Sequence, residues 1–317
     1  MIAVLPATVV AYPRPSGENV VRVDRSHALF VVMCVIWGAT WIAVKAGIAV
    51  VPPILFAGTR FVVAGLLLLF LASRRGETAR FARGDALRFA AVTMLMIVVT
   101  YGLLFWGIQY VSSGLAAILD LAFMPVALLA IGAAFGEDRL TLARAVGVAI
   151  GVTGLLILFG PKAVAGTGGG ATELVGGAAI VLSAFVYSLG SVLARPLLQK
   201  YSPVLVAGIT TLAGGCLMVA GALAVEPGAR QAIDGRWGVA AWAGWVFLVL
   251  CGSLMAYTIF LHLIREWGAS RAGSYAFVSP IIAVVLGVLV FGEAVTWSDE
   301  VGMATMLAGA WFTLRPA

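Results

Sequence analysis

Charge is scarce in this 317-residue chain: Asp, Glu, Lys and Arg make up 11% of it, against about 25% in an ordinary soluble domain. So few charges cannot cover a water-facing surface, and 62% of the residues are hydrophobic. The mean hydropathy is +1.08. A soluble globular protein is excluded, and the chain reads as an all-α integral membrane protein with the lipid bilayer as its solvent. Cysteine is scarce too. Cys34, Cys216 and Cys251 each lie in an apolar stretch without CxxC spacing, as small buried hydrophobes do. His27 and His262 are the only histidines, too few for a zinc site without carboxylates nearby. HExxH, GxSxG and a nucleotide-binding loop are all missing. No enzyme, metal or cofactor is expected, and ATP is not expected as a driver. The opening MIAVLPATVVAY is apolar for a dozen residues, where a span needs about 20. It lacks the basic segment and cleavage site of a signal peptide. Residues 1–27 are therefore read as a cytoplasmic tail.

Long apolar runs are what the chain has instead. They predict ten helices near 28–50, 54–73, 87–109, 112–134, 142–160, 174–194, 203–225, 238–262, 270–291 and 298–314. With the N-terminus inside, the inside segments carry fifteen Lys and Arg residues. The outside loops carry three, Lys162, Arg230 and Arg236, while Lys45 and Arg60 sit at the outer ends of helices 1 and 2. This is a positive-inside bias, which places both termini in the cytoplasm. It also accounts for the net charge of +6 without a nucleic-acid partner. The Gly-rich stretch Gly166 to Gly170 follows no strand; it suits a flexible loop better than a phosphate cradle.

The two halves share a pattern. Trp37, Lys45 and Pro53 recur as Tyr187, Arg195 and Pro203, each offset by 150 residues. Pro125 and Pro280 are offset by 155, and the Phe-Gly-Glu triplets ending at Glu137 and Glu293 by 156. The predicted organisation is one five-helix repeat over 28–160, a Gly-rich linker over 161–173, and a second repeat over 174–317. Five is odd, so the second repeat enters the membrane from the opposite side. An inverted repeat around a central cavity, with a break in corresponding segments of each half, is a plan of secondary transporters.

The stretch WGATWIAVKAGIAVVPPILFAGTRF resembles the first two helices of EamA-type members of the drug/metabolite transporter superfamily. Trp37-Gly38, Lys45, Pro52-Pro53 and Arg60-Phe61 carry that likeness. Helices 4 and 9, each with a central proline and a closing Gly-Glu, are similar as well. One departure is Asp120, where such helices are mostly apolar or small. The resemblance implies a ten-helix bundle around a central cavity, with helices 5 and 10 to one side, in a bacterial inner membrane. It implies export or exchange of small metabolites, amino acids or drug-like solutes, by alternating access with proton coupling or exchange. A channel or receptor, or an intramembrane enzyme, is the alternative. Monomer and homodimer both remain open.

Candidate site residues follow from depth and repeat position. Pro125 and Pro280 are read as helix breaks that leave the carbonyls of Leu121 and Ala276 without their usual donors. Five residues before each proline stand Asp120 and Tyr275. Asp120 lies roughly 12 Å below the outer end of helix 4 by helical rise, where its ionised form is costly. It could carry a proton or meet a cationic part of the solute; a hydrogen-bonded core role is the alternative. Lys45 and Arg60 suit an anionic group, or else lipid phosphates. Trp37 and Tyr187 occupy matching positions and suit a cavity wall, with Tyr101, Trp106 and Tyr257 as further aromatic candidates. His262 and Glu266 could form a pH gate or a solvated helix end. Gly147 and Gly151 allow close helix contact within the monomer or across a dimer.

Overall fold

The computed structural model describes residues 25–78, 81–111, 113–136, 140–165, 170–291 and 295–314. All the regular structure among them is helical. In chain order the helices are α1 (Arg25–Ile48), α2 (Pro53–Arg74), α3 (Arg83–Gly107), α4 (Ser113–Ala134), α5 (Leu142–Ala165), α6 (Ala171–Lys200), α7 (Pro203–Val225), α8 (Val239–Trp267), α9 (Tyr275–Phe291) and α10 (Trp297–Leu314). Two single-turn helices lie beside these, Ala229–Ala232 before α8 and Ala269–Ala272 before α9. Eight of the helices are long and apolar enough to cross a membrane by length and composition. The apolar part of α5, Leu142–Leu158, is shorter, and α10 is diluted by Asp299, Glu300 and its glycines.

Local chemistry sets the helix ends. Pro53 and Pro203 open α2 and α7, where a missing N–H costs nothing and φ is already helical. The Glu226 carboxylate accepts from the Ile54 and Leu55 amides at 2.8 Å each, capping α2, as a negative charge at a helix N-terminus should. Ser202 caps α7 through the Leu205 amide at 3.1 Å and donates its own proton to Glu77. Gly76 and Gly136, with φ of 77° and 69°, follow α2 and α4 in the left-handed conformation that stops a helix.

Some boundaries differ from those predicted. The turn expected after residue 194 is displaced, because α6 runs through Pro196 to Lys200. Leu197 and Leu198 are fully buried there and hold the extra turn in place. The expected linker 161–173 is largely helical, with α5 reaching Ala165 and α6 starting at Ala171. Residues 166–169, the tail 1–24, Glu137 and the Gly292-Glu293 pair lie outside the described residues. Pro125 and Pro280 do not break their helices. Both lie inside continuous α4 and α9, since one lost ladder bond is tolerated when neighbouring helices enclose the site. Inside α3 and α8 the backbone widens into π-helix over Met94–Val99 and Leu248–Ala256. The Thr100 hydroxyl donates to the Leu95 carbonyl at 2.6 Å within the first of these.

Two helix pairs make the most extensive contacts, α2 with α7 and α5 with α10. In the first, Gly65 lies against Leu212 and Gly215 against Val62; in the second, Gly154 lies against Met306 and Gly309 against Gly151. Both pairs therefore run antiparallel and are matched residue for residue across the repeat. Small residues let backbones touch, which is how helices gain contact where lipid supplies no hydrophobic drive. Gly147 and Gly151 thus pack against α10 and α9 of the same chain. The ends at Arg25, Arg74, Lys200 and Trp267 form what is called the near face. Those at Ile48, Pro53, Gly107 and Val239 form the far face. A Cβ at Gly309 would sit 2.5 Å from Gly151 backbone, whereas Gly221 has open space around it. Gly309→Val is expected to lower the melting temperature in detergent by several degrees, an overpacking cost of about 1–3 kcal/mol. Gly221→Ala should melt at or above the parent temperature, which nanoscale thermal unfolding of the purified chains measures.

Candidate functional site

A chamber of about 160 Å³ lies between the two halves of the bundle. A cavity of about this size can hold a single aromatic ring. Trp37, Thr40 and Val44 of α1, Arg60 and Phe61 of α2, and Tyr101 and Leu104 of α3 line it. Asp120 and Met124 come from α4, Tyr187 from α6, Ser253 and Tyr257 from α8, and Tyr275 and Ser279 from α9. Both π-helical segments reach it, through Ile97 and Gly252. Widened turns of this kind often occur at functional positions.

The walls are aromatic and tightly keyed. The Trp37 ring meets Tyr275 edge-on at 4.3 Å and Phe260 at 5.3 Å, and Tyr187 stacks on Phe260 at 5.7 Å. Sulfur fills the gaps: the Tyr275 hydroxyl donates to Met124 Sδ at 2.9 Å, and the Tyr257 hydroxyl points to Met96 Sδ at 3.9 Å. Near the far face the chamber carries two charges. Arg60 is 6% exposed and its Nε has no hydrogen-bond partner. Its guanidinium lies 4.5 Å from the Phe61 ring centre and 5.3 Å from that of Tyr101. Aromatic faces stabilise a cation in this way without neutralising it. Asp120 is 8% exposed, seven residues into α4, and forms no ion pair among the described residues. A guanidinium and a carboxyl group thus share one apolar-walled space without being closed on each other.

Of the residues the sequence singled out, Trp37, Arg60, Asp120, Tyr187 and Tyr275 meet in this chamber, with Tyr101 and Tyr257 beside them. The Lys45 side chain lies outside the described residues. Trp106 is not part of the lining; it is 41% exposed and packs on Tyr110. His262 lies at the near face, its Nδ1 3.5 Å from Arg265, away from the chamber. Neither proline-bearing segment turns to lipid at its freed carbonyl, since Leu121 lines the chamber and Ala276 is wholly buried. Sequence reasoning missed Thr40, Ser253 and Ser279. Thr40 donates to the Trp37 carbonyl at 2.6 Å, as threonines in many helices do, so nothing marked it. Ser279 adjoins Pro280 and could have been found from that.

The repeat sharpens the picture. At the 150-residue offset Arg60 corresponds to Thr210, and at the 155-residue offset Asp120 corresponds to Tyr275. Arg60 leans on Tyr101, while Thr210 lies 3.4 Å from the hydroxyl of Tyr257. Both charges therefore come from the first half, and the matching places in the second half are neutral.

An all-helical bundle with segments long and apolar enough to cross a membrane, around an aromatic-walled chamber that holds Arg60 and Asp120, defines a class, the multi-pass membrane proteins that handle small solutes. The EamA-like transporter family matches residues 25–160 and again 174–315. The chain belongs to that family and is a multi-pass membrane transporter. It is 32% identical to the inner membrane transporter YedA of Escherichia coli (strain K12) over 272 residues, 85% of this chain and 83% of the relative. It is 27% identical to the protein PagO of Salmonella typhimurium (strain LT2), covering 90% and 91% of the two chains. A crystal structure with 18% sequence identity superposes with a TM-score of 0.75, covering 91% of this chain and 96% of the other, a likeness of fold.

An unpaired buried charge is a cost that a binding site tolerates for the sake of its ligand. Asp120→Asn is therefore expected to stabilise the empty protein by about 0.5–2 kcal/mol. The readout is a higher melting temperature in detergent without added solute; a lower one would mean that the carboxylate holds the bundle together.

Proposed function

We propose that this chain is a secondary carrier, built as two inverted five-helix repeats of ten spans in all, that moves a small solute by alternating access. The observation that carries the proposal is the joint presence of Arg60 and Asp120 in one buried aromatic chamber between the halves. The antiparallel crossing of α2 with α7 and of α5 with α10, matched across the repeat, supports the inversion. The concentration of Arg and Lys in the near-face loops supports cytoplasmic termini. A separated cation and anion above aromatic walls suit a zwitterion with an apolar body, such as an amino acid. Its carboxylate goes to Arg60, as a guanidinium prefers, and its ammonium to Asp120 and the rings. A proton can take the place of the ammonium on Asp120, which couples solute exit to proton entry; exchange of one solute for another is the other source of drive.

Counterflow into proteoliposomes tests this with three solutes of one shape, L-phenylalanine, phenylacetate and phenethylamine. Arg60→Gln is expected to cut flux of the first two tenfold or more and to spare the third. Asp120→Asn should cut the first and third and flatten the pH dependence of what remains. Equal losses for all three solutes in both variants would assign the two residues to structure alone.

A further inference from the structure

The two ends of the chamber are closed by different means, and among the described residues only the near-face closure holds an ion pair between the halves. At the near face the buried Asp85 carboxylate, 5% exposed, receives Lys200 Nζ at 2.9 and 3.2 Å and the Tyr201 hydroxyl at 3.0 Å. The Tyr201 oxygen also accepts from the Ala82 amide at 3.1 Å. Ser202 joins the same contact through Glu77. Phe89 packs on Tyr201 at 5.5 Å and on Phe81 at 4.8 Å, beside the ion pair. This set binds the connection after α2 and the start of α3, in the first half, to the α6–α7 turn of the second. Met33, Val92, Leu197 and Phe260, deeper along their helices, are buried in one apolar cluster.

At the far face the turn matching Lys200-Tyr201-Ser202 by the 150-residue offset is Val50-Val51-Pro52. It has no ammonium, phenol or hydroxyl to offer. Asp234 in the opposing loop bonds instead to the neighbouring Arg236, at 3.0 Å to its amide and 3.4 Å to its Nε. Closure there rests on the Glu226 carboxylate, which accepts from the Ile54 and Leu55 amides at 2.8 Å each as the counterpart of Glu77 with Ser202, and on apolar contact, including Phe56 against Trp237 at 5.9 Å. The chamber's charged end, at Arg60, lies toward this side.

We infer that Asp85, Lys200 and Tyr201 form a one-sided clasp that holds the carrier shut at the near face and sets the resting state to be reached from the far face. The inference rests on the carrier reading of the chamber. Each face has a carboxylate cap between α2 and α7, but the near face opens only after the Lys200 and Tyr201 contacts to the Asp85 carboxylate are also broken, and the far face has no matching ion pair among the described residues. Losing the clasp therefore shifts the population toward the state open at the near face.

The test reads sidedness without needing the natural solute. In a chain whose Cys34, Cys216 and Cys251 are replaced by alanine, Thr40→Cys reports on the chamber through reaction with a membrane-impermeant maleimide. The maleimide is applied to each face of sealed vesicles separately. The parent should label faster from the far face. Lys200→Gln and Asp85→Asn should each raise the near-face rate fivefold or more, and Asp85→Lys/Lys200→Asp should bring it back toward the parent. Lys200 is an exposed side chain, 57% accessible, so its variant tests the clasp even where the Asp85 variant fails to fold. Near-face rates unchanged in the folded variants overturn the clasp, as does a parent that labels equally from both faces. Phenylalanine counterflow by the cysteine-free chains that keep Thr40 separates the two ideas: if it persists while labelling is unchanged, only the clasp falls, and if none of those chains supports counterflow the carrier reading falls with it.

Discussion

Nothing in the interior of a bilayer will hydrogen-bond a stranded polar group, and that constraint orders this molecule. Each charge that lies deep has been given protein around it. Arg60 rests on two rings, Asp120 opens into the chamber, and the carbonyl positions freed by Pro125 and Pro280 are enclosed. Helix termini are held to the same standard. Glu226 and the Glu77–Ser202 pair cap α2 and α7, each acid reaching across from the end of the other helix. These reciprocal caps fasten the same two helices that pack most closely, so satisfaction of polar groups and close packing reinforce one another.

Glycine does for the interior what burial of apolar surface does in a soluble core. Lipid tails are as apolar as leucine, so helices gain by contact itself. The near approach of α5 to α10 at Gly151 and Gly309, and of α2 to α7 at Gly65 and Gly215, leaves the remaining helices free to diverge around a hollow. The chamber is thus bordered by segments whose neighbours are fixed elsewhere. The π-helical stretches of α3 and α8 lie on its wall, at the places where a helix is least regular.

Much of this was legible in the chain before any coordinates. Hydropathy located the helices to within a few residues, because a bilayer demands length and apolarity and little else. It failed at α6, where buried Leu197 and Leu198 carry the helix past Pro196, whereas α10 lies at Trp297–Leu314, within one residue of the expected 298–314 despite its acidic first turn. Depth and its place before Pro125 singled out Asp120, and the repeat singled out Trp37 and Tyr187; Arg60 was expected at the outer mouth, and the structure buries it in the chamber. Thr40, Ser253 and Ser279 were invisible, since a small hydroxyl in a membrane helix can satisfy itself on its own backbone. The clasp was invisible for another reason. Asp85, Lys200 and Tyr201 are ordinary loop and helix-end residues until the fold brings positions more than a hundred apart into contact.

The scaffold is duplicated, but its chemistry is not. Arg60 and Asp120 have neutral counterparts at the repeat offsets, Thr210 and Tyr275. The hollow therefore has a head and a foot. A carboxylate turned end over end away from Arg60 would meet the hydroxyl of Thr210 in place of a guanidinium, and a group turned away from Asp120 would meet the phenol of Tyr275. A frame built from a repeated unit thus encloses a chamber whose two ends are chemically unlike.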